Sequence, residues 1–253
     1  MAKYSGEAIN KICHDIERYR SLRRHQECPD SDFNVKLKQL QAWQKSRMWA
    51  THEPILDSQP KSILMNFILD ELYIGLDLSC LGENFETAIS IALKLVSRHR
   101  TLTSAFEFNA LTAELDDKIT QCIFEDLGSD VISNSVYVQA NLLVNTRSDR
   151  ARQVALLSEL VDGLDKAMQS ALVYGAFKLA KTPAKVAGLG KLYELAERGY
   201  TALRSVKTAE NLIAELMQSE HGFYEKMFLN HEVEYNFLVP ALVSQGLITN
   251  VLP

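Results

Sequence analysis

Apolar residues recur at intervals of three and four along almost all of this chain, and that spacing constrains the fold more than any other feature. Ile9, Ile12, Ile16 and Tyr19 set the pattern in a helix over about residues 5–26. After the loop "ECPDSD" a second helix is expected over about 33–52, with Asp32 as its N-cap. Pro54 and Pro60 bracket a connector, and a third helix follows over about 61–74. Asn84 is placed to cap a fourth helix that turns Phe85, Ala88, Ile89, Ala92 and Val96 inward. "SAFEFNALTAELDDKITQCIFEDL" carries a fifth helical stretch to Gly128, and another helix is expected over about 133–145. "SVYVQANLLV" is the best strand candidate, yet it reads equally well as that helix.

Beyond the turn "TRSD", a long helix is expected over about Arg150 to Ala180, with Val154, Leu157, Val161, Leu164, Met168 and Leu172 as its stripe and Pro183 as its stop. "GLG" breaks the next stretch, a helix resumes to about Val206, and Thr208 caps a last one reaching about Asn230. The expected fold is all-α, a bundle-like arrangement of about eight to ten helices. It is expected to form one domain over 1–253, with residues 146–149 as its weakest point.

Composition bounds the function classes. The chain has 253 residues, 47% hydrophobic and 23% charged, with a net charge of −5. That length supports a sizeable core, and the charge argues against general nucleic-acid binding. Cysteines 13, 28, 80 and 122 form no C-x-x-C and have no histidine at metal spacing, which suits free thiols in a reducing cytoplasm. The charged N-terminal stretch is unlike a signal peptide, and no apolar run is long enough to span a bilayer, so a cytoplasmic location is expected.

"NFILDELY", residues 66–73, places two adjacent acids in an apolar segment. At about 100° per residue, Ser62, Asn66, Asp70 and Tyr73 fall within about 80° of one another, a narrow polar stripe. Glu71 lies opposite, among Leu64, Phe67, Ile68 and Ile74. A buried carboxylate needs a partner, and Arg47 offers one, since Leu40, Trp43, Gln44, Arg47 and Thr51 share a face one helix earlier. The expectation is a polar cluster of Gln44, Arg47, Asp70, Glu71 and Tyr73 with an Arg47–Glu71 contact. A buried structural ion pair is favoured there over a catalytic or ligand-binding acid.

"FILDELY" resembles the motif for which the FFLEELY-motif proteins are named, a proteobacterial family of about this length. The likeness extends through "WQKSRMWATH" (43–52), "FNALTAELDDKI" (108–119), "SDRARQVALLSELVDGLDK" (148–166) and "KTPAKVAGLGKLYELAERGY" (181–200). It covers roughly 35–230. The chain departs from the family at Ile68, where a second Phe is usual, and at "IGLD", where a Gly-Pro step is usual. The resemblance implies a helical protein and carries over no catalytic residue.

No familiar chemistry is spelled out. None of the histidines at 14, 25, 52, 99, 221 and 231 has an acid three residues before it, and no H-E-x-x-H occurs. The pairs His221–Glu225 and His231–Glu234 read as solvated polar faces. No G-x-S-x-G occurs, and Cys13 and His14 diverge by about 100° on a helix. "GLGK" fails as a Walker loop because Lys185 stands where the first Gly belongs and Leu192 where Ser or Thr belongs; Tyr193 occupies the third Gly of a dinucleotide fingerprint. No cofactor and no metal site is expected.

A charge pattern does stand out. From Lys166 to Tyr193 there is no acid, while lysines stand at 166, 178, 181, 185 and 191. Three readings compete: a basic surface for anionic lipid; an anion or phosphate pocket in which Gly188 and Gly190 expose backbone N–H groups; and a core hairpin whose lysines snorkel to solvent, which is favoured. The residues at issue are Lys178, Lys181, Lys185, Gly188, Gly190 and Lys191.

Three functions follow, in order of preference. The first is a non-enzymatic binding or regulatory module with a protein partner. The second is a small-molecule binder or enzyme, which needs a concave pocket beside Arg47, Asp70, Glu71 and Tyr73. The third is association with an anionic membrane. No specific nucleic-acid partner is expected. The tail, residues 236–253, has no charged side chain and is expected to dock, on its own helical body in preference to a partner or a second copy.

Overall fold

A computed structural model describes residues 2–23, 31–73, 89, 99–168, 175, 177–186, 188–207 and 209–229. Every described element is helical, so the all-α expectation holds. The helices are α1 (Ala2–Leu22), α2 (Asp32–His52), α3 (Gln59–Phe67), α4 (His99–Gln121), α5 (Asn134–Val144), α6 (Arg147–Met168), α7 (Lys181–Val186), α8 (Gly190–Ser205) and α9 (Ala209–Leu229). The expected helix from Asn84, the capping role of Thr208 and the apolar tail lie outside the described residues, except that Ile89 is helical and buried.

The chain punctuates its helices with local chemistry. Ser31, not Asp32, caps α2: its Oγ accepts from the Asn34 backbone N–H at 3.3 Å, and Asp32 becomes a first-turn acid. Ser133 does the same for α5, accepting from the Val136 N–H. That helix is the "SVYVQANLLV" stretch, and it ends at Asn145, which takes φ 55°. The helical residues 177–179 give way to a turn at Ala180, where the helix before Pro183 is expected to end, and Pro183 itself lies in the next helix. It sits in the first turn of α7, where its missing N–H costs nothing. Gly188, at φ +77°, closes α7.

Helix α4 is central: α1, α2, α5 and α6 all pack on it, α9 packs on α6, and α3 packs on α8. The larger core joins Met48, Leu64, Leu69, Phe108, Leu157 and Leu216. A second core buries the stripe Ile12, Ile16 and Tyr19 of α1 against Phe106, Ala110 and Ala113. Two glycines permit close approach. A Cβ on Gly163 would stand 2.9 Å from Thr101 Cβ, and one on Gly199 would stand 2.6 Å from Phe67 Cζ.

The motif departs from the α-helix. Residues Ile68–Tyr73 form a π-helical segment that continues α3. Its i→i+5 winding sets Tyr73 over Ile68, and both are buried together with Leu69, while Asp70 is turned out to solvent. On an α-helix Tyr73 would share the polar stripe of Asn66 and Asp70; the wider turn carries it into the core. A second π segment, Cys122–Asp126, ends the α4 stretch before Gly128.

Candidate functional site

The centre of polar chemistry lies inside the bundle, where α2, α5, α6 and α9 converge. Arg47 reaches inward from α2 with none of its surface exposed. Its two terminal nitrogens donate to the two carboxylate oxygens of Glu220 on α9, at 2.9 and 2.7 Å. This is the forked geometry that suits guanidinium and carboxylate. His52 Nε2 lies 3.0 Å from Glu220 Oε1; because a carboxylate only accepts, that nitrogen carries the proton. The Arg47 guanidinium also lies 4.5 Å from the Phe223 ring centroid. Burial by itself would push the Glu220 carboxyl up. The Arg47 charge and the hydrogen bonds from His52 and Arg47 outweigh it and hold the group at about 2.

A second buried cation stands beside this pair. Arg150, at the start of α6, is fully buried and donates to neutral acceptors: Asn141 Oδ1 at 3.3 Å, Gln153 Oε1 at 2.9 Å and Tyr137 OH at 3.0 Å. Gln153 in turn donates to Thr112 Oγ1 at 2.9 Å, and Thr146 to Asn141 Oδ1 at 2.8 Å. Tyr73 and Tyr224 meet hydroxyl to hydroxyl at 3.3 Å. Burial pushes the Tyr73 phenol up to about 12 and those of Tyr137 and Tyr224 further in the same direction. All three are therefore neutral hydroxyls at physiological pH; Tyr137 accepts from Arg150, and Tyr73 and Tyr224 share one hydrogen bond. Tyr73, Gln153, Glu220 and Tyr224, together with Met48, Phe108, Val154, Leu157 and Met217, line a mostly apolar cavity of about 20 Å³, a volume that admits one water molecule.

The predicted cluster is thus divided. Gln44, Arg47 and Tyr73 are buried. Asp70 and Glu71 are not with them. Glu71 is a half-exposed surface residue paired with Arg198 of α8 at 2.9 and 3.1 Å, so the expected Arg47–Glu71 contact does not form. Asp70 pairs at the surface with Lys45. The physical reason is the π segment, which swings the acids toward α8 and solvent. Gln44 lies one turn before Arg47, facing Asp116, whose carboxyl is pushed up by complete burial.

Glu220, His52 and Arg150 were not singled out from the sequence. The signal for Glu220 was present: Ile213, Leu216, Met217, Tyr224 and Met227 make a buried three-four stripe, and Glu220 interrupts it.

The lysine segment is also partnered. Lys178 and Lys181 approach Glu197 at 3.8 and 3.1 Å, and Lys185 approaches Glu194 at 3.6 Å. The acid-free window ends at Tyr193, and the first acids beyond it fold back onto its lysines. Gly188 is exposed, Gly190 begins α8, and Lys191 is exposed on its first turn. His221 is exposed, while Glu225 pairs with Arg147. No described helix is long and apolar enough to cross a membrane.

The architecture defines an all-helical domain organised around a closed, charged interior. The chain belongs to the family described as Domain of unknown function (DUF8198), which matches residues 22–234. No curated protein and no solved structure matches it.

Proposed function

We propose that this domain is a non-enzymatic binding module, a rigid helical body that presents surfaces to a partner. The observation that carries the reading is how fully the two charged groups at the centre, Glu220 and Arg150, are engaged by their neighbours. Both oxygens of Glu220 are taken by Arg47 and His52, Arg150 is held by Asn141, Gln153 and Tyr137, and the adjoining space admits one water. The Glu220 carboxylate accepts three hydrogen bonds from cationic and imidazole donors and stays ionised, and the tyrosines hold their protons, so neither is set up as a general base. Buried polar groups that satisfy one another fix the arrangement of the helices they join.

The test is native mass spectrometry of the full chain after incubation with a metabolite extract. The expected result is a bare protein mass. A retained small molecule that is lost in Tyr73→Phe or Gln153→Ala would overturn the reading and make the cavity a ligand site.

A further inference from the structure

Leu179 and Val186 are 80% and 85% exposed, more than any other large apolar side chain among the described residues. Pro183, also exposed, lies between them; it shares a face of α7 with Val186, three residues on, and Leu179 stands two residues before that helix begins. The segment that carries them is held from behind. Ala184, Leu189 and Tyr193 are buried in the α1 core, and Phe177 stacks on Tyr193 with ring centroids 4.6 Å apart. The apolar face is therefore outside because the opposite face is anchored. Lys178, Lys181 and Lys185 stand around it, each about half-exposed. Between residues 178 and 197 there are four lysines against two acids, on a chain whose net charge is −5.

We propose that this lysine-framed tip, Leu179, Pro183 and Val186, inserts into the interfacial layer of a membrane bearing anionic headgroups. The inference rests on the binding-module reading and names its partner. Charge complementarity supplies the first argument, since lysines beside an anionic bilayer meet phosphate and carboxylate groups. Shape supplies the second. A stable protein partner buries about 800 Å² on each side, and a few protruding side chains offer a small part of that. A bilayer asks for no matching contour; aliphatic side chains dip below the headgroups while lysine stems lie along the surface with their ammonium groups in water. Glu194 and Glu197 hold Lys178, Lys181 and Lys185 in position in the free protein, three ammonium groups against two carboxylates.

The experiment is vesicle flotation of the full chain with phosphatidylcholine liposomes, with and without a third of phosphatidylserine, at low and high salt. The expected result is association only with the anionic vesicles, weakened by salt. Lys178→Gln and Lys185→Gln should each lower the partition coefficient roughly fivefold. Leu179→Asp with Val186→Asp should abolish association even at low salt, with the melting temperature unchanged because both side chains face solvent. Association of that double variant equal to the parent would overturn the proposal, as would equal binding to neutral vesicles. Failure of the parent chain to float with either vesicle would overturn the membrane as occupant and leave the binding-module reading standing. Retention on an immobilised acidic peptide without vesicle association would assign the tip to an acidic protein instead.

Discussion

Two glutamates interrupt apolar arcs in this chain, and their fates differ by environment. Glu220 is enclosed with Arg47; Glu71 reaches Arg198 across a surface where the two side chains are 34% and 53% exposed. Glu220→Gln removes the charge that balances a buried guanidinium and is expected to cost roughly 3–5 kcal/mol of unfolding free energy in a urea titration. The double variant Arg47→Met with Glu220→Leu removes both charges and should regain most of that loss. Glu71→Ala, tested the same way, should change stability by about 1 kcal/mol or less, because water already solvates both partners. A Glu71 effect as large as that of Glu220 would contradict the division between a structural centre and a surface pair.

At the scale of elements, the helices were legible because their signal is local: a three-four stripe is written within one segment. The interior partners were not. Nothing within α2 says which of 32 acids faces Arg47, and Glu71 and Glu220 both satisfy the same pattern argument. The choice is made by how α9 docks and by the π winding of residues 68–73, which an α-helical projection cannot express. Ser31 and Asp32 are both good caps for α2, and only the turn, which the sequence does not spell out, decides between them. Close helix contacts were equally silent. Gly163 lies in α6 against Thr101 of α4, and Gly163→Ala tests that contact. In an isolated helix the change would gain about 1 kcal/mol. Here the new methyl group meets the Thr101 side chain, and overpacking of this kind costs roughly 1–3 kcal/mol. A net fall in melting temperature is the expected outcome; a rise would show that α4 and α6 have room to part.

Across the whole molecule, buried carboxyls shape the response to pH in opposite senses. Glu220, held at about 2 against an ordinary 4.5, contributes stability that is complete above pH 4.5 and is lost as pH falls toward 2. Asp117, which burial pushes up to about 6 despite Arg23, runs the other way. Its folded form holds the proton more tightly, so stability declines as pH rises from about 3.8 through 6. Urea midpoints measured across pH should therefore rise from pH 7 toward pH 5 and collapse below 4.5. Asp117→Asn should flatten the first limb and Glu220→Gln the second. The same ion pair has a temporal side. Arg47 and Glu220 are 173 residues apart in the chain. At a synthesis rate of about 5–20 residues per second, roughly 9–35 s pass between the translation of one and of the other. During that interval the guanidinium has only water to solvate it, and the helices already made cannot close over it. A ribosome halted before codon 220 holds a chain whose interior is still wet, and such nascent chains are expected to be the ones that chaperones retain and proteases cut.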